Sequence, residues 1–167
     1  MKLDILFVDF VLVAAVFLSY FLFILIGRKE SGRLKNKFSE ETKKHQLRFE
    51  EKDSWNNNII GLDKEKNKIL LVQKKRTELV SEIIDLKQVC TCEILQEVQT
   101  LKIEQRTETI LQRLDLQLKL HNGTMQIVNL YNCEETYMQD YELKHAEKWN
   151  RTINALISLR PNLNSAA

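Results

Sequence analysis

Residues 113–132 read RLDLQLKLHNGTMQIVNLYN. Leu114, Leu116, Leu118 and Leu120 alternate with Asp115, Gln117 and Lys119, the period of two that turns one face of a strand inward. His121-Asn122-Gly123-Thr124 follows, and Met125–Tyr131 supplies a returning strand. Asn-Gly between alternating apolar residues signals a hairpin, because a type I′ turn needs positive φ at both central residues. Leucine is a mediocre strand former, but the period outranks propensity. Sheet is therefore the expectation for this part of the chain.

A second hairpin is legible upstream. Ile59-Ile60-Gly61-Leu62 and Ile69-Leu70-Leu71-Val72 flank Asp63-Lys64-Glu65-Lys66 and Asn67, two apolar runs around a polar turn. Leu79–Leu86 and Val89–Val98 also read as strands, the latter with Cys90, Cys92 and Ile94 at alternate positions, which puts both thiols on one face. Residues 93–111 are ambiguous between strand, loop and helix, since Ile94, Leu95, Val98 and Leu101 also suit helical spacing. The preferred reading is a strand ending near Val98, then a long, polar, mobile connection through Arg106. Ala146, Trp149, Ile153, Leu156 and Ile157 share one face of a closing helix that Pro161 stops, leaving 162–167 as tail. About six strands followed by one helix make an α+β fold over residues 55–160.

Phe10–Ile26 reads FVLVAAVFLSYFLFILI, without a charge. At 1.5 Å per residue it spans about 26 Å, and Ile5–Val8 extend it past Asp9 to roughly the ~30 Å of a bilayer core. This reading makes residues 1–27 a single-pass transmembrane anchor in contact with the bilayer through residues 5–26. Asp4 beside Lys2, and the lack of a small-x-small site before Gly27, argue against a cleaved signal peptide. Arg28, Lys29, Arg33, Lys35 and Lys37 oppose only Glu30 on the far flank. By the positive-inside rule the rest of the chain then lies in the cytoplasm, below an inner membrane. Residues 28–54 read as a charged helical extension that frays into a linker. Positions 34, 38, 45 and 49 form only a thin stripe, and no heptad seam persists.

Formal net charge is +2. Residues 28–54 hold nine basic and six acidic side chains, and residues 55–167 hold fifteen of each. The excess sits in one segment and draws no basic stripe on the sheet domain, so nucleic acid is not an expected partner. Lys74-Lys75-Arg76, directly after a strand, is a weak candidate patch for an anion or a partner, with a solvated loop tip the plainer reading. His45, His121 and His145 are scattered, and Cys90-x-Cys92 with a stray Cys133 falls short of a zinc set. Four glycines form no phosphate loop. No catalytic, cofactor or metal residue is nominated, and no enzyme is expected. An odd number of cysteines points to free thiols.

The succession IIGLDKEKNKILLVQ, IIDLKQVCTCEI, RLDLQLKLHNGTMQIVNLYN and HAEKWNRTINALI resembles bacterial pleckstrin-homology-like domains, particularly those of single-pass membrane proteins. The resemblance implies a bent β sandwich or barrel capped by the C-terminal helix, and a binding or scaffolding role without catalysis. Lipid-binding relatives carry a basic first hairpin loop, whereas Lys64-Glu65-Lys66 is mixed. The expected function is a membrane-tethered module that docks an unidentified protein partner or the membrane surface, with room for a homo-oligomer. The alternative is a stalk of the cell envelope, built from one long helix over residues 28–110.

Overall fold

The computed structural model describes residues 2–103, 106–136 and 141–159, and the side chains of 11–22, 31–102, 108–136 and 141–159. Helix α1 (Lys2–Lys44) leads into β1 (Glu51–Trp55), β2 (Asn58–Asp63), β3 (Lys68–Lys75) and β4 (Glu78–Asp85). A 3-10 turn at Leu86–Gln88 connects to β5 (Val89–Ile103), β6 (Arg106–Leu120) and β7 (Met125–Asn132), and α2 (Glu142–Ser158) follows. The strands form two antiparallel sheets in sequential order, β1-β2-β3-β4 and β5-β6-β7. The α+β class stands.

The anchor does not. Among the described residues no helix is long and apolar enough to cross a membrane. The apolar stretch is one part of α1, a 43-residue helix whose later turns carry charge and pack on the sheet domain. The expected transmembrane helix, its single pass, the bilayer contact through residues 5–26 and the inner-membrane location are corrected accordingly. With no span to orient, the positive-inside argument for a cytoplasmic domain has no purchase. The long helix of a stalk is absent too, since α1 ends at Lys44 and strands begin at Glu51.

The end of α1 belongs to the sheet domain. Leu34 and Phe38, one turn apart, pack with Leu47 on Ile59, Leu70 and Val72, the outward side chains of β2 and β3. The helix stops in a Schellman motif: Leu47 N–H donates to Thr42 C=O at 2.9 Å and Gln46 N–H to Lys43 C=O at 3.1 Å, with Gln46 left-handed at φ 52°. Lys66 Nζ caps further carbonyls, at 3.1 Å from His45 O and 2.6 Å from Gln46 O. Gly61 permits the close approach of helix to strand, because a Cβ there would meet Phe49 at 2.8 Å and Phe38 at 2.9 Å. Part of the stretch read as linker is thus docked helix and part is an unforeseen seventh strand, β1.

On the inner side, Ile60, Leu62, Ile69 and Leu71 of the first sheet meet Leu114, Leu116, Leu118 and Val128 of the second, with Ala146, Trp149 and Ile153 of α2. Every residue of β2 is buried, since α1 covers one face and the second sheet the other. That is why its apolar run is continuous rather than alternating.

The two expected hairpins pair as read, Asp63 with Lys68 and Lys119 with Met125. The second turn differs in kind. Only Gly123 has positive φ, at 82°, and Leu120 O accepts from Gly123 N at 2.9 Å. This is a type I turn followed by a left-handed glycine rather than type I′. The expected mobile connection is also replaced: β5 continues to Ile103 and β6 begins at Arg106, with pairing from Val98–Leu111 to Ile103–Arg106. The end expected at Pro161 lies outside the described residues.

Candidate functional site

β7 pairs with β6 only as far as Arg113–Asn132, whereas β5 and β6 pair on to Ile103–Arg106. The second sheet therefore tapers into a two-stranded arm. Register shifts at Glu97/Val98 and Leu114/Asp115 mark its base, and such bulges bend a ribbon. Between this arm and the first turns of α2 lies a cleft of about 700 Å³. Gln96 and Val98 of β5 and Thr109 and Leu111 of β6 form its floor, and Tyr141, Leu143, Lys144 and Glu147 stand along its wall. Leu111 also packs on the main core, so the floor is the sheet's inner face carried beyond the sandwich. Val98 remains 54% exposed.

The wall is held by a polar seam. Asp53 Oδ2 of β1 accepts from His145 Nδ1 at 2.9 Å and from Lys148 Nζ at 3.1 Å. Burial works against the Asp53 carboxylate, but His145 and Lys148 outweigh it and hold the carboxyl below its ordinary value. Trp55, 2% exposed, stacks on the His145 ring at 4.5 Å and 7°. Asn56 Nδ2 donates to Glu142 Oε1. On the other sheet, Asn154 grips one residue of β5: its Oδ1 accepts from Cys92 N at 3.0 Å and its Nδ2 donates to Cys92 O at 2.7 Å. Helix α2 thus bridges β1 and β5, an edge strand of each sheet.

No family model, curated protein or solved structure matches this chain.

The basic residues nominated from sequence lie elsewhere. Lys74 and Lys75 close β3 and Arg76 occupies the two-residue turn to β4 with φ 52°. Lys74 lines one shallow cleft with Arg33 of α1 and another, of about 160 Å³, with Lys35, Ser31, Ser54, Asn56 and Asn57. The fold brings Arg33 and Lys35 to this end of the first sheet. Lys37 instead pairs within the helix, 2.9 Å from Glu41. Arg28 and Lys29 carry no described side chains.

The thiols also part company. A register shift between Val89 and Thr91 inserts Cys90 as an extra residue, so it does not share the face of buried Cys92 as strict alternation implies. Cys92 joins the core, where burial and the nearby Glu93 push its thiol up to about 12. Cys133 is half-buried, its thiol 2.9 Å from Gln112 Oε1. The cleft was not nominated from sequence, because its floor and wall are separated along the chain, Leu111 being the last floor residue and Tyr141 the first of the wall, and no local period marks them.

Proposed function

We propose that this chain is a non-catalytic binding module that docks an extended segment of a protein partner between the β5–β6 arm and α2. The open cleft of about 700 Å³ carries the reading. Its size suits a few side chains of a peptide, and its apolar floor with Lys144 and Glu147 at the rim suits a segment with apolar anchors and mixed charge. β5 is an edge strand, and beyond Cys92 no described strand pairs with its outer side, so peptide backbone can add there as a further strand. Two antiparallel sheets and a closing helix also support kinship with pleckstrin-homology-like domains, whose fold serves docking.

Selection of random displayed peptides on the full chain tests this. Val98→Asp and Leu143→Asp, at exposed positions, are expected to weaken the enriched peptides at least tenfold, with the melting temperature unchanged. Enriched peptides that ignore both substitutions and respond to Lys74→Glu, or no enrichment at all, would refute the cleft as the docking site.

A further inference from the structure

Cys90 lies near the start of β5, six residues before Gln96 at the edge of the cleft and so about 20 Å away. The bulge that displaces it from the alternating pattern turns its sulfur to 3.0 Å from His121 Nδ1. The backbone at His121 is anchored, because its amide N–H donates to Gln88 O at 2.8 Å and so ties the β6–β7 turn to the 3-10 turn. Two turns distant in sequence thereby hold a thiol and a base in contact at the surface. Neither group has a role in the peptide cleft.

We propose that Cys90 and His121 form a reactive thiol–imidazole pair, a site of reversible modification by a low-molecular-weight disulfide. With its proton on Nε2, the ring takes the thiol proton at Nδ1 and leaves the thiolate, the nucleophilic form. The Cys90 sulfur then attacks one sulfur of the disulfide. A Cys90–S–S–R bond forms, the original S–S bond breaks, and the departing thiolate takes the proton from His121. The exchange balances without any further oxidant, and a second thiol reverses it. The other two cysteines make a built-in comparison. Cys92 is buried with its thiol pushed up to about 12, and the Cys133 thiol has an amide oxygen, Gln112 Oε1, as its neighbour in place of a base.

Site-resolved mass spectrometry of the native full chain tests the pair, with iodoacetamide for rate and glutathione disulfide for exchange. Cys90 is expected to alkylate at least tenfold faster than Cys133, with Cys92 unreacted, and to carry the glutathione adduct. His121→Gln is expected to slow Cys90 about tenfold while Cys133 in the same molecule keeps its rate, which also certifies the fold. Equal rates at Cys90 and Cys133, or a Cys90 rate indifferent to His121→Gln, would overturn the proposal.

Discussion

Gln46 sits in the left-handed region at φ 52°, where a side chain costs roughly 1 kcal/mol that glycine escapes. The Schellman hydrogen bonds around it run through the backbone and survive substitution. Gln46→Gly is therefore expected to stabilise the protein by about 0.5–1 kcal/mol, seen as a melting temperature higher by a few degrees. Asp53 and Asp63 set the acid response. Burial opposes both carboxylates, yet His145 and Lys148 at the first, and the Arg48 and Lys66 amides at the second, hold both below their ordinary values. Stability from a depressed carboxyl is complete above the unfolded value of about 4 and is lost as pH falls through the folded one. Thermal melts from pH 7 down to 2 are expected to show a loss that begins near pH 4. The Asp53→Asn variant starts lower at neutral pH, and its gap from the parent closes as the solution is acidified. A constant gap would show that the seam's charge is irrelevant.

Elements built on local signals were legible in sequence, and those built on distant partners were not. The β6–β7 hairpin carries its period, and the β2–β3 hairpin its paired apolar runs, beside their turn residues within one short stretch, and α2 carries its own apolar face. β1 does not, since Trp55 is its one buried residue and the polar stretch EKDS earns its place by pairing with β2. The docked end of α1 was missed for a related reason. Leu34 and Phe38 make a thin stripe until the outer face of β2 and β3 supplies the other half. The membrane reading is corrected at the same scale, since among the described residues no helix is long and apolar enough to cross. Gly61 is the sharpest test of helix docking. Gly61→Val forces a side chain into Phe38 and Phe49, whose rings both lie closer than 3.0 Å to where its Cβ would sit, and is expected to cost about 2–3 kcal/mol. Denaturant melts would show this as a lower midpoint, and an unchanged midpoint would mean that α1 does not pack there.

Across the whole molecule, the two sheets share one core but differ in what they leave open. The first is sheathed on both faces, by α1 and by the second sheet. The second runs out into an arm, with apolar Leu95 just before its base and Val98 at its start both exposed. Binding capacity therefore concentrates on the tapering side, where strand and helix diverge. None of this was visible from residues 93–111 alone, since the same leucines and valines suit a helix until β6 pairs with them.

Helix α2 follows the seven strands in the chain, and it joins β1 to β5 through Asp53 and Cys92. During synthesis the meander emerges from the ribosome with both rims bare, presenting strand edges that neighbouring nascent chains can extend. The fold thus depends on its latest part to become self-contained, and a chain stopped short of Glu142 is a seed for intermolecular stacking rather than a smaller version of the same protein.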